Sequence, residues 1–274
     1  MTGGERVPPG IDVTKPNIAR VYDAFLGGKD NFAADRAVVE LTLRIAPDAA
    51  AGAKANRAFL RRVVRYLAGQ AGICQFLDIG SGLPSQGNVH EIAGEANPAA
   101  RVVYIDSDPV VLRHAEALLG GAPSVRVVTA DVRRPAEILG SARVREFIDF
   151  GRPVGLLMFA ILHHIRDEED PAGIVARFRE AAAPGSYLAI SSFRMPGPEH
   201  PQDAARTREV QELFNARLGT GLWREHEEIL QWFGDWELLE PGLVPLPEWR
   251  PDITGQAARN STYYGFVGGV ARKP

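Results

Sequence analysis

The sequence is poor in the residues that mark secreted and membrane proteins. Cys74 is the single cysteine among 274 residues, so an internal disulfide is excluded and a reducing compartment is expected. No apolar run approaches the ~20 residues that span a bilayer, and the first residues, MTGGERVPPG, lack the apolar segment of a signal peptide. We therefore expect a cytoplasmic protein with no membrane association.

An excess of charge of one sign is also missing. The 31 lysines and arginines nearly balance 34 acidic residues, which gives a net charge of −3. Proteins that bind nucleic acid or an anionic membrane through their overall field carry a basic excess, so we expect neither partner. Metal ligands are scattered: the adjacent His163 and His164 point apart on an extended backbone, and no metal site is predicted.

The first part of the chain has helical periodicity. After sixteen residues rich in glycine and proline, apolar residues recur at helical spacing from Ile18 to Phe25, and a glycine pair ends this helix. Two further helices are predicted over Ala33–Ile45 and Asn56–Leu67. Residues 1–70 are thus predicted to form an N-terminal arm and a helical cap.

Residues 71–274 alternate short apolar runs with helical segments. The runs predicted as strands are Cys74–Ile79, Arg101–Asp106, Val125–Ala130, Gly155–Leu162, Ser186–Ser192, Trp236–Glu240 and Tyr263–Arg272. The predicted helices are Asn88–Gly94, Val110–Leu119, Pro135–Arg143, Ala172–Ala182, Asp203–Leu218 and Arg224–Phe233. The connection between the last two strands carries four prolines and is predicted to be an extended loop.

Apolar strands separated by helices are typical of a parallel sheet covered on both faces. The predicted fold is α/β: a Rossmann-like, doubly wound, seven-stranded sheet with an antiparallel last strand, plus the N-terminal helical cap. Residues 1–274 are predicted to form a single domain.

A glycine-rich turn follows the first predicted strand, at Gly80, Ser81 and Gly82. Such a turn lets a ligand approach the backbone closely. Asp78, two residues before it, would repel a pyrophosphate but can pair with the ammonium group of an amino acid. S-adenosylmethionine carries that group, and NAD does not. The alternative is a tight strand-to-helix turn in which Asp78 caps the helix.

Two further carboxylates follow the next two strands. Asp106 is placed to accept hydrogen bonds from both hydroxyls of a ribose. Asp131 can accept from the amino group of adenine while the N–H of Val132 donates to the ring. Taken alone, Asp131 fits a solvated loop equally well. Because parallel strands end at one edge of a sheet, these side chains together predict an adenosine site.

Several stretches resemble one known class, the class I S-adenosylmethionine-dependent methyltransferases, and within it a bacterial S-adenosyl methyltransferase family first described as a domain of unknown function. The resemblance covers nearly the whole chain. It rests on residues 19–23, 26–36, 77–84, 88–91, 104–109 and 162–165. Pro84 departs from the broader class, in which many members carry another glycine. The resemblance implies the fold and the cofactor S-adenosylmethionine, and little about the methyl acceptor.

The cap is expected to close the cofactor pocket. A helix that ends at the glycine pair is placed to fold over the open edge, with Tyr22 and Asn31 facing the methionyl end of the cofactor. The charged residues of this segment fit ion pairs within the cap equally well; they are Arg20, Asp23, Asp35 and Arg36. Ser107 and Ala160 complete the predicted cofactor contacts.

His163 follows the fourth predicted strand, where the transferable methyl group lies in this class. Its side chain is a candidate general base for a hydroxyl or amine acceptor. The alternative is a packing role, because methyl transfer needs mainly alignment and no base is obligatory. Residues proposed to line the acceptor pocket are Arg194, Trp223, Trp249 and Tyr264. The basic stripe Arg57, Arg61 and Arg65 is predicted to be a solvated face, with an acidic partner as the alternative.

These patterns together predict an S-adenosylmethionine-dependent methyltransferase that acts on a small-molecule acceptor. Three alternatives stay open at this point. An NAD-dependent oxidoreductase is disfavoured by Asp78 and by the missing third glycine of a dinucleotide motif. An aminopropyl transferase shares the fold, and a non-catalytic sensor that binds S-adenosylmethionine would share the whole cofactor motif.

Overall fold

Three helices precede the sheet in the computed structural model, which describes residues 12–84, 87–108, 111, 113, 115–117, 121–252 and 258–274. They are α1 (Ile18–Phe25), α2 (Ala33–Ile45) and α3 (Ala49–Arg65), and a π-helical turn at Tyr66–Gln70 extends α3. The third helix begins earlier than predicted, because the alanine-rich residues before Asn56 favour helix without showing a continuous apolar face.

The sheet has the order β3-β2-β1-β4-β5-β8-β6, with β7 paired to β8 beside β6. Its strands are β1 (Gln75–Ile79), β2 (Arg101–Asp106), β3 (Val125–Thr129), β4 (Gly155–Phe159), β5 (Tyr187–Phe193), β6 (Glu237–Leu238), β7 (Val244–Pro245) and β8 (Phe266–Arg272). Strands β1 to β5 are parallel and β8 runs antiparallel to β5. The predicted Rossmann-like fold with an antiparallel last strand is confirmed. Seven strands are predicted and the sheet has eight. The additional strand is β7, which lies in the proline-rich connection predicted to be a loop.

The remaining helices of the described ranges connect these strands. They are α4 (Val89–Ala96), α5 (Pro135–Gly140), α6 (Ala142–Arg145), α7 (Pro171–Ala181), α8 (Pro201–Leu218), α9 (His226–Gln231) and α10 (Ser261–Gly265). None of the helices described is long and apolar enough to cross a bilayer. The predicted helix Val110–Leu119 falls on a stretch that lies partly outside the described residues.

Two strand boundaries differ from prediction for local reasons. Ala160 has a φ of 54°, in the left-handed region, so β4 ends at Phe159 and does not continue to Leu162. The side chain of Asn260 accepts the N–H of Tyr263 and starts α10, so the last strand begins only after that helix.

An apolar layer covers each face of the sheet. Successive residues of β1 alternate between them: Phe76 packs in the layer that contains α3, and Leu77 packs in the opposite layer. Five apolar side chains along α3 and the π-helical turn after it are buried, namely Phe59, Leu60, Val63, Val64 and Leu67. Their packing fixes α3 across the sheet, with its first turns over the carboxyl ends of the central strands.

Buried polar contacts hold the cap together and to the sheet. Nε of Arg20 lies 2.8 Å from Oδ2 of Asp35, and both side chains are almost fully buried. Asp35 also accepts the backbone N–H groups of Asn17 at 2.9 Å and Phe32 at 2.8 Å. The side chain of Asn17 donates to Asp108, just after β2, at 2.6 Å. The cap is therefore anchored next to the end of β2.

A smaller apolar cluster joins the cap to α8. Val21 and Val38 of the cap pack with Val210 and Phe214 of α8. Because α8 follows β5, this cluster encloses a space between the cap and the carboxyl edge of the sheet.

Replacing Asp35 by alanine is expected to lower the free energy of unfolding by about 3–5 kcal/mol, because the Arg20 charge would stay buried without its partner. Urea denaturation measures this change. The matched control is Glu137→Ala, which removes the exposed Arg134–Glu137 pair and is expected to cost less than about 0.5 kcal/mol. Equal losses in the two variants would contradict a structural role for the buried pair.

Candidate active site

A cavity of about 300 Å³ lies at the carboxyl ends of the parallel strands. It opens where the chain order reverses between β1 and β4, which is the usual ligand position in doubly wound sheets. Most of the predicted site residues line this cavity: Tyr22, Asp78, Gly80, Ser81, Gly82, Asp106, Ser107, Asp131, Val132, Ala160 and His163. Residues far apart in the chain are thus brought to one place.

The glycine turn after β1 is shaped by two residues in left-handed conformations. Gly80 has a φ of 73° and Gly82 a φ of 66°. A Cβ on Gly80 would lie 2.6 Å from Ile161, whereas a Cβ on Gly82 would meet no atom within 4 Å. Gly80 therefore allows close packing under the turn, and Gly82 leaves space above it.

The N–H groups of this turn are used within the protein. Those of Gly80 and Ser81 donate to the carbonyl of Ile105, and that of Gly82 donates to Oδ2 of Asp106 at 2.9 Å. A dinucleotide site needs such groups to point at the pyrophosphate. The turn is therefore unsuited to the phosphates of NAD.

Asp78 is a buried carboxyl at the end of β1, with 5% of its surface exposed. Burial raises its pKa to about 7, against the opposing effect of Arg57. No residue in the described part of the chain donates a hydrogen bond to it. A buried carboxyl with no donor suits a cationic ligand group, which would stabilise its ionised form.

Arg57 is a residue of the site that the sequence did not reveal. It lines the cavity and donates to the carbonyl of Gly87 at 2.8 Å. Its spacing with Arg61 and Arg65 had placed it on a solvated face. Only the first turns of α3 overlie the cavity, so Arg57 reaches the site while the two later arginines do not line it. A prediction of where α3 crosses the sheet would have been needed to find it.

Asp106 and Asp131 have different surroundings in the cavity wall. Asp106 accepts the N–H groups of Gly82 and Asp108 at 2.9 Å each, and burial raises its pKa. Asp131 is one-third exposed and pairs with Arg133 at 3.3 Å. Asp106 is thus a rigid acceptor inside the site, whereas Asp131 lies at its solvent edge.

A chain of hydrogen bonds crosses from the cap to the end of β4. The hydroxyl of Tyr22 donates to the carbonyl of Ala53 at 3.2 Å and accepts from Nδ2 of Asn56 at 2.9 Å. Oδ1 of Asn56 accepts from Oγ of Ser191 at 2.6 Å, and that Oγ accepts the N–H of Ala160 at 3.0 Å. The position of Tyr22 at the cavity is therefore fixed by both the cap and the sheet.

Asn31 does not line the cavity, contrary to the prediction. It is buried, and its Nδ2 donates to Oδ2 of Asp23 at 2.9 Å and to the carbonyl of Gly28 at 3.0 Å. Its Oδ1 accepts from Arg36 at 3.1 Å. Asn31 therefore holds the turn after α1, and the motif around it serves the shape of the cap.

The surroundings of His163 disfavour the predicted role as a general base. Its Nδ1 accepts the N–H of Phe193 at 3.3 Å. Burial, with the nearby His164 and Arg224, lowers its pKa well below the usual range. Burial also lowers the pKa of His164 to about 4. Neither ring is suited to gain a proton near neutral pH.

The side of the cavity away from the aspartates is apolar and aromatic. The rings of Phe193 and Trp223 stack with centroids 4.1 Å apart and planes 9° apart. Side chains from the cap and α8 complete this half; they are Phe25, Leu26, Val210, Phe214 and Leu218. Of the residues predicted to line an acceptor pocket, only Trp223 does so. Trp249 is fully buried and packs edge-on against Phe59 in the core.

No group of three metal-binding side chains is assembled within the described ranges. Of the acidic residues at the cavity, Asp78, Asp106 and Asp131 lie at the ends of β1, β2 and β3. Asp108 follows β2, and Asp23 belongs to α1. Three acidic strand ends beside a glycine turn, in a doubly wound sheet, are the arrangement from which the sequence motifs predict a Rossmann-like methyltransferase that uses S-adenosylmethionine.

Residues 4–274 match the S-adenosyl methyltransferase family, and the chain belongs to that family. The resemblance inferred from the sequence motifs is thereby confirmed. The protein is an S-adenosylmethionine-dependent methyltransferase, with S-adenosylmethionine as its expected cofactor.

Two solved structures are similar over almost their whole length. A protein from Thermobifida fusca YX, provisionally described as a methyltransferase, is 46% identical, with 97% of this chain and 98% of that chain covered and a TM-score of 0.91. A DUF574 family protein from Streptomyces avermitilis MA-4680 is 39% identical, with 96% and 99% covered and a TM-score of 0.89.

A more distant structure supports the fold alone. It is an O-methyltransferase family 2 protein from Planctomyces limnophilus DSM 3776 in complex with apigenin, 18% identical, with 93% of this chain and 65% of that chain covered and a TM-score of 0.51. No curated protein matches the chain.

Replacing Gly80 by alanine is expected to destabilise the protein more than replacing Gly82, although both residues have positive φ. The left-handed conformation costs about 1–2 kcal/mol at either position, and only Gly80→Ala adds a clash with Ile161. Urea denaturation of the two variants measures the difference. Adding Ile161→Ala removes the two nearest atoms and leaves Cβ of residue 161 at 2.9 Å, so it should reduce the excess cost. An excess that does not change at all would show that the clash is not its cause.

Proposed function

We propose that this methyltransferase binds S-adenosylmethionine on the acidic side of the cavity and a flat, apolar small molecule on the aromatic side. The observation that carries the proposal is that one continuous cavity has both kinds of wall. When bound, the cofactor supplies an electrophilic methyl group on a sulfonium. Aligning that group with an acceptor in the same enclosed space provides much of the rate enhancement.

The methionyl end is proposed to lie between Asp78 and Arg57. Asp78 would pair with the α-ammonium group, and Arg57 would pair with the α-carboxylate. Both residues line the cavity, and the charge of Arg57 acts on Asp78. A decarboxylated cofactor has no α-carboxylate for Arg57 to bind, which disfavours the aminopropyl transferase alternative.

The adenosine end is proposed to follow the edge of the sheet. Asp106 would accept from the ribose hydroxyls, beside Ser107. Asp131 and the N–H of Val132 would contact the adenine. The remaining cofactor contacts would be van der Waals contacts with residues of the cavity wall, namely Gly80, Ser81, Gly82, Ala160 and Tyr22.

The acceptor is proposed to be a small molecule with a flat ring system. Trp223 stacks on Phe193 with one face of its ring and is a half-buried part of the cavity wall, and aromatic side chains favour stacking with flat partners. The balanced net charge supports an acceptor that is not a nucleic acid. A cytoplasmic location stays a prediction, based on the single cysteine, Cys74.

Replacing Asp106 by alanine is expected to weaken the binding of both S-adenosylmethionine and S-adenosylhomocysteine by about 10- to 100-fold, because hydrogen bonds to a charged group are lost. Isothermal calorimetry measures these affinities, with NAD as a comparison ligand that should not bind. The control is Asp235→Ala, at an exposed residue away from the cavity. Unchanged affinity in a folded Asp106→Ala protein would refute the proposed cofactor position.

Cofactor affinity is expected to rise with pH between about 5 and 7, by up to roughly tenfold per unit. The free protein holds Asp78 protonated below its pKa of about 7, and the ammonium group pairs only with the ionised form. The ammonium itself stays protonated over this range. Calorimetry on S-adenosylhomocysteine across these pH values provides the measurement. Asp78→Asn should bind weakly and without this slope, and a flat profile in the wild type would contradict the pairing.

A further inference from the structure

The two ring nitrogens of His163 have different surroundings. Nδ1 accepts the backbone N–H of Phe193 at 3.3 Å. A neutral imidazole carries its proton on the nitrogen that does not accept, so the hydrogen-bond pattern assigns an N–H to Nε2. Burial and the neighbouring His164 and Arg224 lower the pKa of the ring, which keeps it neutral.

The Nε2–H group belongs to a side chain in the wall of the cavity. His163 is 1% exposed and lines the cavity wall. In the described part of the chain no residue accepts a hydrogen bond from Nε2. This nitrogen is not completely enclosed by protein, unlike Nδ1 of His164, which is enclosed and has no hydrogen-bond partner there. Since buried donors are almost always paired, its partner is to be sought in whatever occupies the cavity.

The position of the ring relates this donor to the aromatic half of the cavity. The His163 ring stacks on Phe193 with centroids 3.6 Å apart and planes 15° apart, and Trp223 stacks on the same phenylalanine at 4.1 Å. Phe193 therefore lies between the other two rings, and this three-ring stack forms the aromatic wall of the cavity. A flat molecule bound beside this wall would lie close to the His163 side chain and its Nε2–H group.

We propose that His163 is a hydrogen-bond donor to the methyl acceptor, and that the acceptor is a flat ring system carrying an oxygen or nitrogen lone pair. This inference rests on the proposed function, because it needs the acceptor on the aromatic side of the cavity. The residue would orient the acceptor through Nε2–H and would take no proton from it.

The experiment uses three isosteric probes with the S-adenosylhomocysteine complex: naphthalene, quinoline and isoquinoline. Quinoline and isoquinoline have the shape of naphthalene, with one ring C–H replaced by a nitrogen that carries a lone pair. Equilibrium dialysis gives their dissociation constants for the wild type, His163→Leu and His163→Gln. The measured quantity is the naphthalene Kd divided by the Kd of the tighter-binding nitrogen probe, which cancels general effects on the pocket.

This ratio is expected to fall about fivefold in His163→Leu, as for the loss of one hydrogen bond. It should largely recover in His163→Gln, whose amide N–H replaces Nε2–H. Unchanged affinity for S-adenosylhomocysteine would show that both variants are folded. In addition, nitrogen NMR of histidine-labelled protein should find the His163 proton on Nε2.

Each of the other outcomes overturns either the donor role of His163 or the proposed acceptor site. If the probes bind and the ratio is the same in wild type and His163→Leu, the donor role is wrong while the proposed function stands. A proton on Nδ1 likewise overturns the donor role. If none of the probes binds the loaded protein, the aromatic side is not the acceptor site, and both the inference and that part of the proposed function fail.

Discussion

The proposed cofactor site depends on one buried carboxyl group, that of Asp78, whose ionised form the protein alone stabilises only in part. Asp78 ends β1 where the strand order reverses, and its pKa of about 7 reflects burial that the charge of Arg57 only partly offsets. Because a buried carboxyl binds its proton more tightly in the folded state, stability is lost as pH rises from the unfolded pKa towards 7, by roughly 4 kcal/mol. A bound cation would remove that cost, so under the proposed pairing the same group opposes folding and favours the ligand.

The alternation of apolar runs and helices was enough to predict the sheet and the position of its polar edge. Parallel strands must end together, so Asp78, Asp106 and Asp131 follow from local patterns plus a general rule of topology. The short strands were harder to predict. Val244–Pro245 pairs with β8 for two residues, and a pairing of that length depends on what lies opposite and leaves no periodicity in the sequence.

The side chains that were missed or misplaced all depend on tertiary contacts. Arg57 has the same helical spacing as Arg61, and only the crossing of α3 over the sheet separates their roles. Asn31 belongs to a distinctive motif that serves the turn after α1. The position of His163 at the cavity could be predicted from the sequence, whereas the contact at its Nδ1 could not, because the N–H of Phe193 comes from β5.

The aromatic wall also gives the protein an optical property. The chain has four tryptophans; Trp223 alone lines the cavity, while Trp232, Trp236 and Trp249 are buried elsewhere. The Trp223 indole, a fluorophore, is thus close to any ligand bound on the aromatic side of the cavity. Quenching of this one indole would distinguish occupancy of the aromatic half from occupancy of the acidic half, so the fold contains its own fluorescent reporter.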